Sequence, residues 1–198
     1  MKQIYEITDP FSAIIPTKQI SAYYPSMQLE GLIYILSHLF EKEFIVFAPK
    51  NILNSKINEF NLVHSSLNEA LDILCENFES LDYRIHGDMV LLNDKNIIED
   101  ISPKSWLTLD IFQTDNSLRE IKLNLFQVIC YMANRYKKSI ICETDSFTFN
   151  TYFKISINPI QKLGTLVQQI LSQVWGTNVD CFESFLHFFR RKPNLLIN

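Results

Sequence analysis

The chain carries the same pattern of apolar residues twice, at a constant offset of 96 residues, and this repeat constrains the fold more than any other feature. The first copy opens with apolar positions spaced i, i+3, i+4 and i+7, which is typical of one face of a helix. The matched positions are Leu29, Leu32, Ile33, Leu36 and Phe40, and then Leu125, Val128, Ile129, Met132 and Tyr136.

The repeat continues beyond this helix with a strand, a second helical face and a closing hairpin in both copies. One strand breaks the register, because its apolar residues match at an offset of 95. The matched pairs there are Phe60 with Ile155 and Leu62 with Ile157. A one-residue slip turns every side chain of a strand to the other face, so we expect a loop near Pro159 to absorb the difference.

Each copy is predicted to fold as a βαββαββ unit. The predicted fold class is α+β, with two tandem units that each pack two helices on short, mainly antiparallel sheets. In the first copy, Ser26 is predicted to cap the first helix. Ser66 and Glu69 are predicted to form a capping box on the second helix. The closing hairpin is predicted to turn at Gly87.

The repeat also sets the predicted domain boundaries. Its limits give an N-terminal arm at 1–17, a first unit at 18–93, a connector at 94–117, a second unit at 118–192 and a tail at 193–198. Within the connector, residues 106–111 alternate between apolar and polar and form a candidate edge strand. A single fused domain, in which that segment pairs with a neighbouring unit, is the structural alternative.

Composition argues against several functional classes. The chain has only 4 glycines, and no P-loop or dinucleotide-binding fingerprint can be built from them. Its formal net charge of −4 does not favour a nucleic-acid binder with a broad basic face. No GxxG loop of the kind that KH modules use is present either. We therefore predict no cofactor and no nucleic-acid partner.

The spacing of the ionisable residues predicts neither a metal site nor a catalytic set. Cys75, Cys130, Cys142 and Cys181 are widely separated and the four histidines do not cluster near them, so no zinc site is expected. Buried free thiols are favoured, with a Cys142–Cys181 disulfide as the alternative. His187 alternates with apolar neighbours and is expected to face outward. No nucleophile and base occur in a supporting pattern, so we predict that the chain is not an enzyme.

Several segments resemble the secretin and TonB short N-terminal domain. In the first copy they are LEGLIYIL at 29–36, FIVF at 44–47, SLNEALDIL at 66–74 and LDYRI at 81–85. In the second copy, WGTNV at 175–179 is similar to the GTgL step of that family. The resemblance covers about 75 residues in each unit. It implies a small α+β module that makes contacts between proteins in bacterial envelope machines.

The repeat and the resemblance together predict a non-enzymatic interaction module of a bacterial envelope system, of the secretin or TonB-dependent receptor and signalling type. Its exposed sheet edges are expected to bind a protein partner by strand addition. The candidate partner-binding residues are the aromatic side chains expected at an edge, namely Tyr23, Tyr24, Phe185 and Phe189. A soluble enzyme with its active site between the two units is the alternative.

The sequence also bears on localisation. No apolar segment of a secretory signal follows Lys2, so we expect a periplasmic protein if a signal peptide has been removed and a cytoplasmic one otherwise. No apolar run reaches the roughly 18 residues that a membrane-spanning helix needs, so no transmembrane segment is predicted.

Overall fold

The computed structural model describes residues 18–95, 119–144, 152–157, 160–174, 177–183 and 185–190. The predicted arm at 1–17, the candidate edge strand at 106–111, Pro159 and the tail at 193–198 lie outside these ranges. Within them the chain forms a mixed α/β structure with five helices. None of the helices in these ranges is both long enough and apolar enough to cross a membrane.

The two halves have the same order of main elements. The first half contains β1 (Ile20–Tyr24), β2 (Met27–Gln28), α1 (Leu29–Phe40), β3 (Glu43–Ala48), α2 (Lys50–Leu53), β4 (Lys56–Ile57), β5 (Phe60–Ser65), α3 (Leu67–Asn77), β6 (Leu81–His86) and β7 (Met89–Asp94). The second half contains β8 (Arg119–Asn124), α4 (Leu125–Tyr136), β9 (Ser139–Glu143), β10 (Tyr152–Ile157), α5 (Leu163–Leu171), β11 (Thr177–Cys181) and β12 (Phe185–Arg190). The elements α4, β9, α5, β11 and β12 each begin 96 residues after their counterparts α1, β3, α3, β6 and β7.

One six-stranded sheet joins the halves, in the order β11-β12-β9-β3-β7-β6. The halves meet at β3 and β9, which run parallel with Ile45 beside Ile140 and Phe47 beside Cys142. The neighbouring pairs β3–β7 and β9–β12 are also parallel. The expectation of antiparallel sheets therefore fits the two outer pairs and the two-stranded sheets, but not the centre of the shared sheet.

The composition of β3 explains why the halves join at this strand. Residues 44–48 are all buried, so β3 is apolar on both of its faces. A strand that is apolar on both faces is stable only where elements cover both sides of the sheet. Without β9, one edge of β3 would also leave buried backbone N–H and C=O groups unpaired. Pairing with β9 satisfies those groups.

Helices cover both faces of the shared sheet. On one face, α1 and α3 of the first half pack against Phe44, Val46 and Leu92. On the other face, α4 and α5 of the second half pack against Ile45 and Leu91. Alternate residues of β3 therefore belong to two different cores. This arrangement relates the halves by an approximate half-turn about an axis along the strands.

The first helices of the two halves begin differently. Asn124 caps α4, and its side-chain oxygen accepts from the Gln127 backbone N–H at 2.9 Å in a capping box. The N-cap of α1 is Gln28, which makes no side-chain capping hydrogen bond, and not Ser26 as predicted. The helix begins later because Gln28 still pairs with β4 as part of a strand. Gly31 occupies the position that corresponds to Gln127.

Other local features agree with the sequence. The capping box that Ser66 and Glu69 were predicted to form on α3 is confirmed. Gly87 lies in the turn between β6 and β7 with φ of 59°, as the predicted hairpin requires. The residues that end α1 and α4, Glu41 and Lys137, both adopt the left-handed conformation, with φ of 55° and 50°. The repeat therefore extends to the ends of these helices.

The break in register lies inside the first half. Backbone pairing keeps the offset of 96 on both sides of the break: Tyr24 pairs with Phe60 and Met27 with Ile57, as Glu120 pairs with Ser156 and Leu123 with Phe153. In the first half this ladder is interrupted at residues 25–26 and 58–59, which separate β1–β5 from β2–β4. An uninterrupted strand buries every second side chain, but Ile57 and Phe60 are three residues apart and both are buried. The alternation of buried and exposed side chains therefore restarts after the interruption. This interruption accounts for the apparent offset of 95 within the described residues.

Candidate functional site

The junction of the halves has two faces of opposite chemistry. On the face covered by α4, Phe126 reaches across the junction and packs on Phe47 of β3, with ring centroids 5.9 Å apart. Both residues are buried in one core with Leu91. We call Phe47, Leu91 and Phe126 the apolar seam. Burial of apolar surface holds the halves together on this face.

On the face covered by α1, the equivalent positions carry ionisable side chains. Glu143, His187 and Glu30 stand 96 residues from Phe47, Leu91 and Phe126, in that order. We call these three residues the polar seam. His187 Nδ1–H donates to Glu30 Oε1 at 3.0 Å, and His187 Nε2 lies 3.4 Å from Glu143 Oε1. An imidazole therefore lies between two carboxylates where the opposite face has only apolar side chains.

The polar seam is largely removed from water. The side chains of Glu143 and His187 are only 6% and 13% exposed. Lys50 Nζ lies 3.3 Å from Glu143 Oε1 and extends the row of ionisable side chains. The hydrogen bond from His187 lowers the pKa of Glu30, and the nearby charges of His187 and Lys50 lower it further against the opposing effect of burial. This environment favours the charged form of the Glu30 carboxylate.

The prediction that His187 faces outward is wrong. Strand β12 lies inside a sheet that is covered on both faces, so the side chain that turns away from the second-half core meets α1 of the first half. Sequence reasoning also missed Glu30 and Glu143. The repeat contained a usable signal, because at all three positions an ionisable residue in one copy aligns with an apolar residue in the other.

A groove of about 490 Å³ opens beside the polar seam, between α1 and the turn that joins β11 to β12. We call it the junction groove; its walls are Gln28, Glu30, Gly31 and Tyr34 of the first half and Phe182, Glu183 and Phe185 of the second. The ring of Phe185 lies 5.9 Å from Tyr34 and 4.8 Å from Phe182, measured between centroids. Tyr34 is 40% and Phe182 51% exposed, so two aromatic rings of the groove contact solvent.

The four aromatic residues predicted to bind a partner lie in different environments. Tyr23 is 59% exposed on β1. Tyr24 is half-buried against the first-half core. Phe185 is buried, at 8% exposure, and forms the floor of the junction groove. Phe189 is half-buried, with its ring 5.6 Å from that of His187. Exposure at a sheet edge, on which the prediction depends, is therefore present at Tyr23 and absent at Phe185.

The cysteines are free thiols. Cys142 on β9 and Cys181 on β11 are separated by β12, so the alternative disulfide is not formed. Burial raises the pKa of Cys130 and of Cys142 well above the ordinary thiol value, which opposes their use as nucleophiles. Among the described residues, no group of three His, Cys, Asp or Glu side chains is placed to hold a metal ion.

The shared sheet ends in β11 on one side and β6 on the other, and within the described ranges each has a single neighbouring strand. The Phe182 N–H donates to the Phe185 carbonyl at 2.8 Å and closes the β11–β12 hairpin. Hydrogen-bonded and non-hydrogen-bonded pairs alternate along an antiparallel ladder. The N–H groups of Cys181 and Val179 therefore point away from β12, toward the open edge.

A comparison with models of known protein families gives no match, and a comparison with curated proteins gives no significant match. A functional role for the chain therefore depends on three features of its structure: the polar seam, the junction groove and the open edge of β11.

The chemistry of the polar seam predicts a non-additive effect of mutation. We expect His187→Leu to lower the free energy of unfolding by about 3 kcal/mol, because it removes the hydrogen-bond donor of Glu30 and leaves Lys50 as the one remaining partner of Glu143 within the described residues. The triple variant Glu30→Phe, Glu143→Phe and His187→Leu copies the apolar seam and should regain most of that loss. Urea denaturation of the wild type, the single variant and the triple variant measures both effects. A triple variant less stable than His187→Leu would contradict this description of the seam.

The lowered pKa of Glu30 predicts a loss of stability in acid. A carboxyl group whose pKa is lower in the folded than in the unfolded state stabilises the fold above its unfolded pKa, and this contribution disappears as pH falls through the folded pKa. The excess stability of the wild type over Glu30→Gln should therefore be present near pH 5 and shrink below the ordinary value of 4.5. Urea denaturation at several pH values measures it, with Glu76→Gln on an exposed part of α3 as the control. An excess that does not change between about pH 5 and pH 3 would contradict the prediction.

Proposed function

We propose that this chain is a non-enzymatic protein-interaction module of a bacterial envelope system, of the secretin or TonB-dependent receptor and signalling type, which binds a protein partner by strand addition. In this proposal the halves are two tandem βαββαββ units, fused through β3 and β9. The resemblance of both copies to the secretin and TonB short N-terminal domain supports the envelope setting. The open edge of β11 supports the mode of binding.

The observation that carries the proposal is the way the sheet is built. The halves themselves associate by pairing one strand of each, β3 with β9, and this leaves β11 at the end of the sheet. An unpaired edge strand presents a row of backbone donors and acceptors that an extended segment of another protein can complete. Main-chain pairing would supply affinity, and the side chains beside the edge would supply selectivity.

The side chains favour β11 over β6 as the docking edge. Strand β6 exposes Asp82, Arg84 and His86 on alternate positions, and charged side chains are a common device for protecting an edge against pairing. Strand β11 exposes a single charged residue, Asp180, beside the uncharged Cys181. A partner strand therefore meets less charge along β11.

One observation favours the alternative of a soluble enzyme with a site between the units. His187 is held between Glu30 and Glu143 at the junction, and a carboxylate that orients an imidazole is a recurring arrangement of general bases. However, Glu30 is the one residue of the polar seam that lines the junction groove, and three of the other six lining residues are aromatic. The interaction module is the function that these walls support better.

Strand addition predicts that a proline at an outward-facing backbone position of β11 blocks binding. A photocrosslinking residue at position 180 of the intact protein, expressed in its native host, should first capture the partner, whereas the same residue at exposed position 76 should not. Cys181→Pro removes an outward N–H and should weaken binding of the purified partner at least about tenfold. Cys181→Ser changes the same side chain but keeps the N–H, and should bind as the wild type does.

Circular dichroism and thermal unfolding check that Cys181→Pro is folded, and Asn178→Asp provides a second edge variant that retains every backbone N–H. Equal affinities of the folded proline variant and Cys181→Ser for the partner would contradict strand addition at β11. A partner recovered from the cytoplasm alone would contradict the envelope setting.

A further inference from the structure

We propose that the junction groove binds the side chain of an arginine that the partner protein carries beside the segment paired with β11. The identity of the occupant as part of a protein partner rests on the function proposed above. The recognition of a guanidinium group rests on the groove itself, through its charge, its aromatic walls and its difference from the equivalent place in the other half.

The charge of the groove is complementary to a cation. Its walls contain two carboxylates, Glu30 and Glu183, and none of its described lining residues is basic. Three basic groups lie near the groove, and each contacts a group of the protein itself. His187 donates to Glu30 Oε1, Lys50 pairs with Glu143, and Lys138 Nζ donates to the backbone carbonyls of Phe182 and Glu183. Lys138 therefore fixes the turn that carries Glu183 and does not occupy the groove.

The aromatic walls favour arginine over other basic groups. Tyr34 and Phe182 present partly exposed rings, and Phe182 is stacked on the buried Phe185 with an interplanar angle of 12°. A cation over an aromatic face is attracted by the ring quadrupole. A planar guanidinium stacks on such rings and binds carboxylates through a fork of N–H donors, whereas an ammonium group is a strongly hydrated point charge.

The equivalent place in the other half lacks this chemistry. Moving 96 residues along the repeat replaces the carboxylates of Glu30 and Glu183 by Phe126 and Gly87, and the rings of Tyr34 and Phe182 by Cys130 and His86. The fold therefore tolerates other residues at these positions. The combination of two acidic and two exposed aromatic side chains belongs to one face of the junction alone.

Gly31 provides an independent indication that the groove is kept open. A Cβ at this position would meet Met27 no closer than 3.6 Å, and Gly31 does not have a positive φ, so neither contacts at Cβ nor backbone geometry require glycine. Glycine is also a poorer helix former than alanine. It also forfeits the capping box that Gln127 completes in α4. The absence of a side chain at Gly31 leaves space at the groove wall.

The groove is continuous with the proposed docking edge. Phe182 and Glu183 directly follow β11 in the chain, so a partner segment that pairs with Cys181 ends beside the groove. One partner segment can therefore use both places, with its backbone on β11 and an arginine between α1 and the turn.

The test compares two short peptides on the intact protein. The probes are acetyl-Gly-Gly-Arg-Gly-Gly-amide and the same peptide with citrulline, which has nearly the same shape as arginine and no charge. In a ¹⁵N NMR titration at low salt, the arginine peptide should shift the amides of Gly31, Tyr34 and Glu183 saturably. The citrulline peptide should shift them at least about fivefold less at equal concentration, because it lacks the charge.

Two variants locate the site. Gly31→Gln fills the groove with the residue type that the second half has at the equivalent position, Gln127, and Glu183→Gln removes one carboxylate. Each should weaken binding of the arginine peptide at least about threefold, since each removes part of the complementary surface. The matched control is Gly164→Gln, the same substitution at an exposed glycine of α5 with open space around it, and it should leave binding unchanged.

The outcomes separate this inference from the proposed function. Equal shifts from the two peptides, or full binding by a folded Gly31→Gln variant, would overturn the arginine site. Shifts at β11 with both peptides and none at the groove would overturn it as well, while supporting strand addition. Binding of the arginine peptide at the groove, together with a partner affinity unaffected by Cys181→Pro, would support the site and overturn strand addition.

Discussion

The parallel pairing of β3 with β9 is the interaction on which the rest of the structure depends. It turns two halves that would each expose an apolar strand into one sheet whose central strands are buried on both faces. It also sends the helices of each half to opposite faces. The junction groove, the polar seam and the outer position of β11 all follow from this pairing, because each is formed where the halves meet or where the joined sheet ends.

Because the chain contains the same arrangement twice, the two faces of the junction can be compared residue by residue. Two copies of one arrangement place the same positions in nearly the same surroundings, so a difference between copies is not a requirement of the fold. The apolar seam of Phe47, Leu91 and Phe126 shows that burial alone can hold the junction. Burying ionisable residues on the other face has a desolvation cost that an apolar contact does not have. Their presence beside the groove is consistent with a role in binding.

The sequence predicted most of the helices and strands, but few of the contacts between them. The offset of 96 and the capping box of Ser66 were readable, because local spacing determines helix faces and helix ends. The shared sheet was not predicted, although the uninterrupted apolar run in β3 indicated a strand buried on both faces. The outward orientation assigned to His187 was wrong because alternation along a strand identifies two faces but does not say what covers each. Phe182 and Glu183 join the groove only through contacts between elements distant in sequence.

The most direct test of the joined sheet is a set of backbone NOE measurements across β3 and β9 in the isotopically labelled full chain. The pairing predicts contacts that link Val46 with Ile141 and Phe47 with Cys142, as strong as those between β3 and β7. Contacts within each half but none between β3 and β9 would contradict the joined sheet, and with it the junction groove and the polar seam.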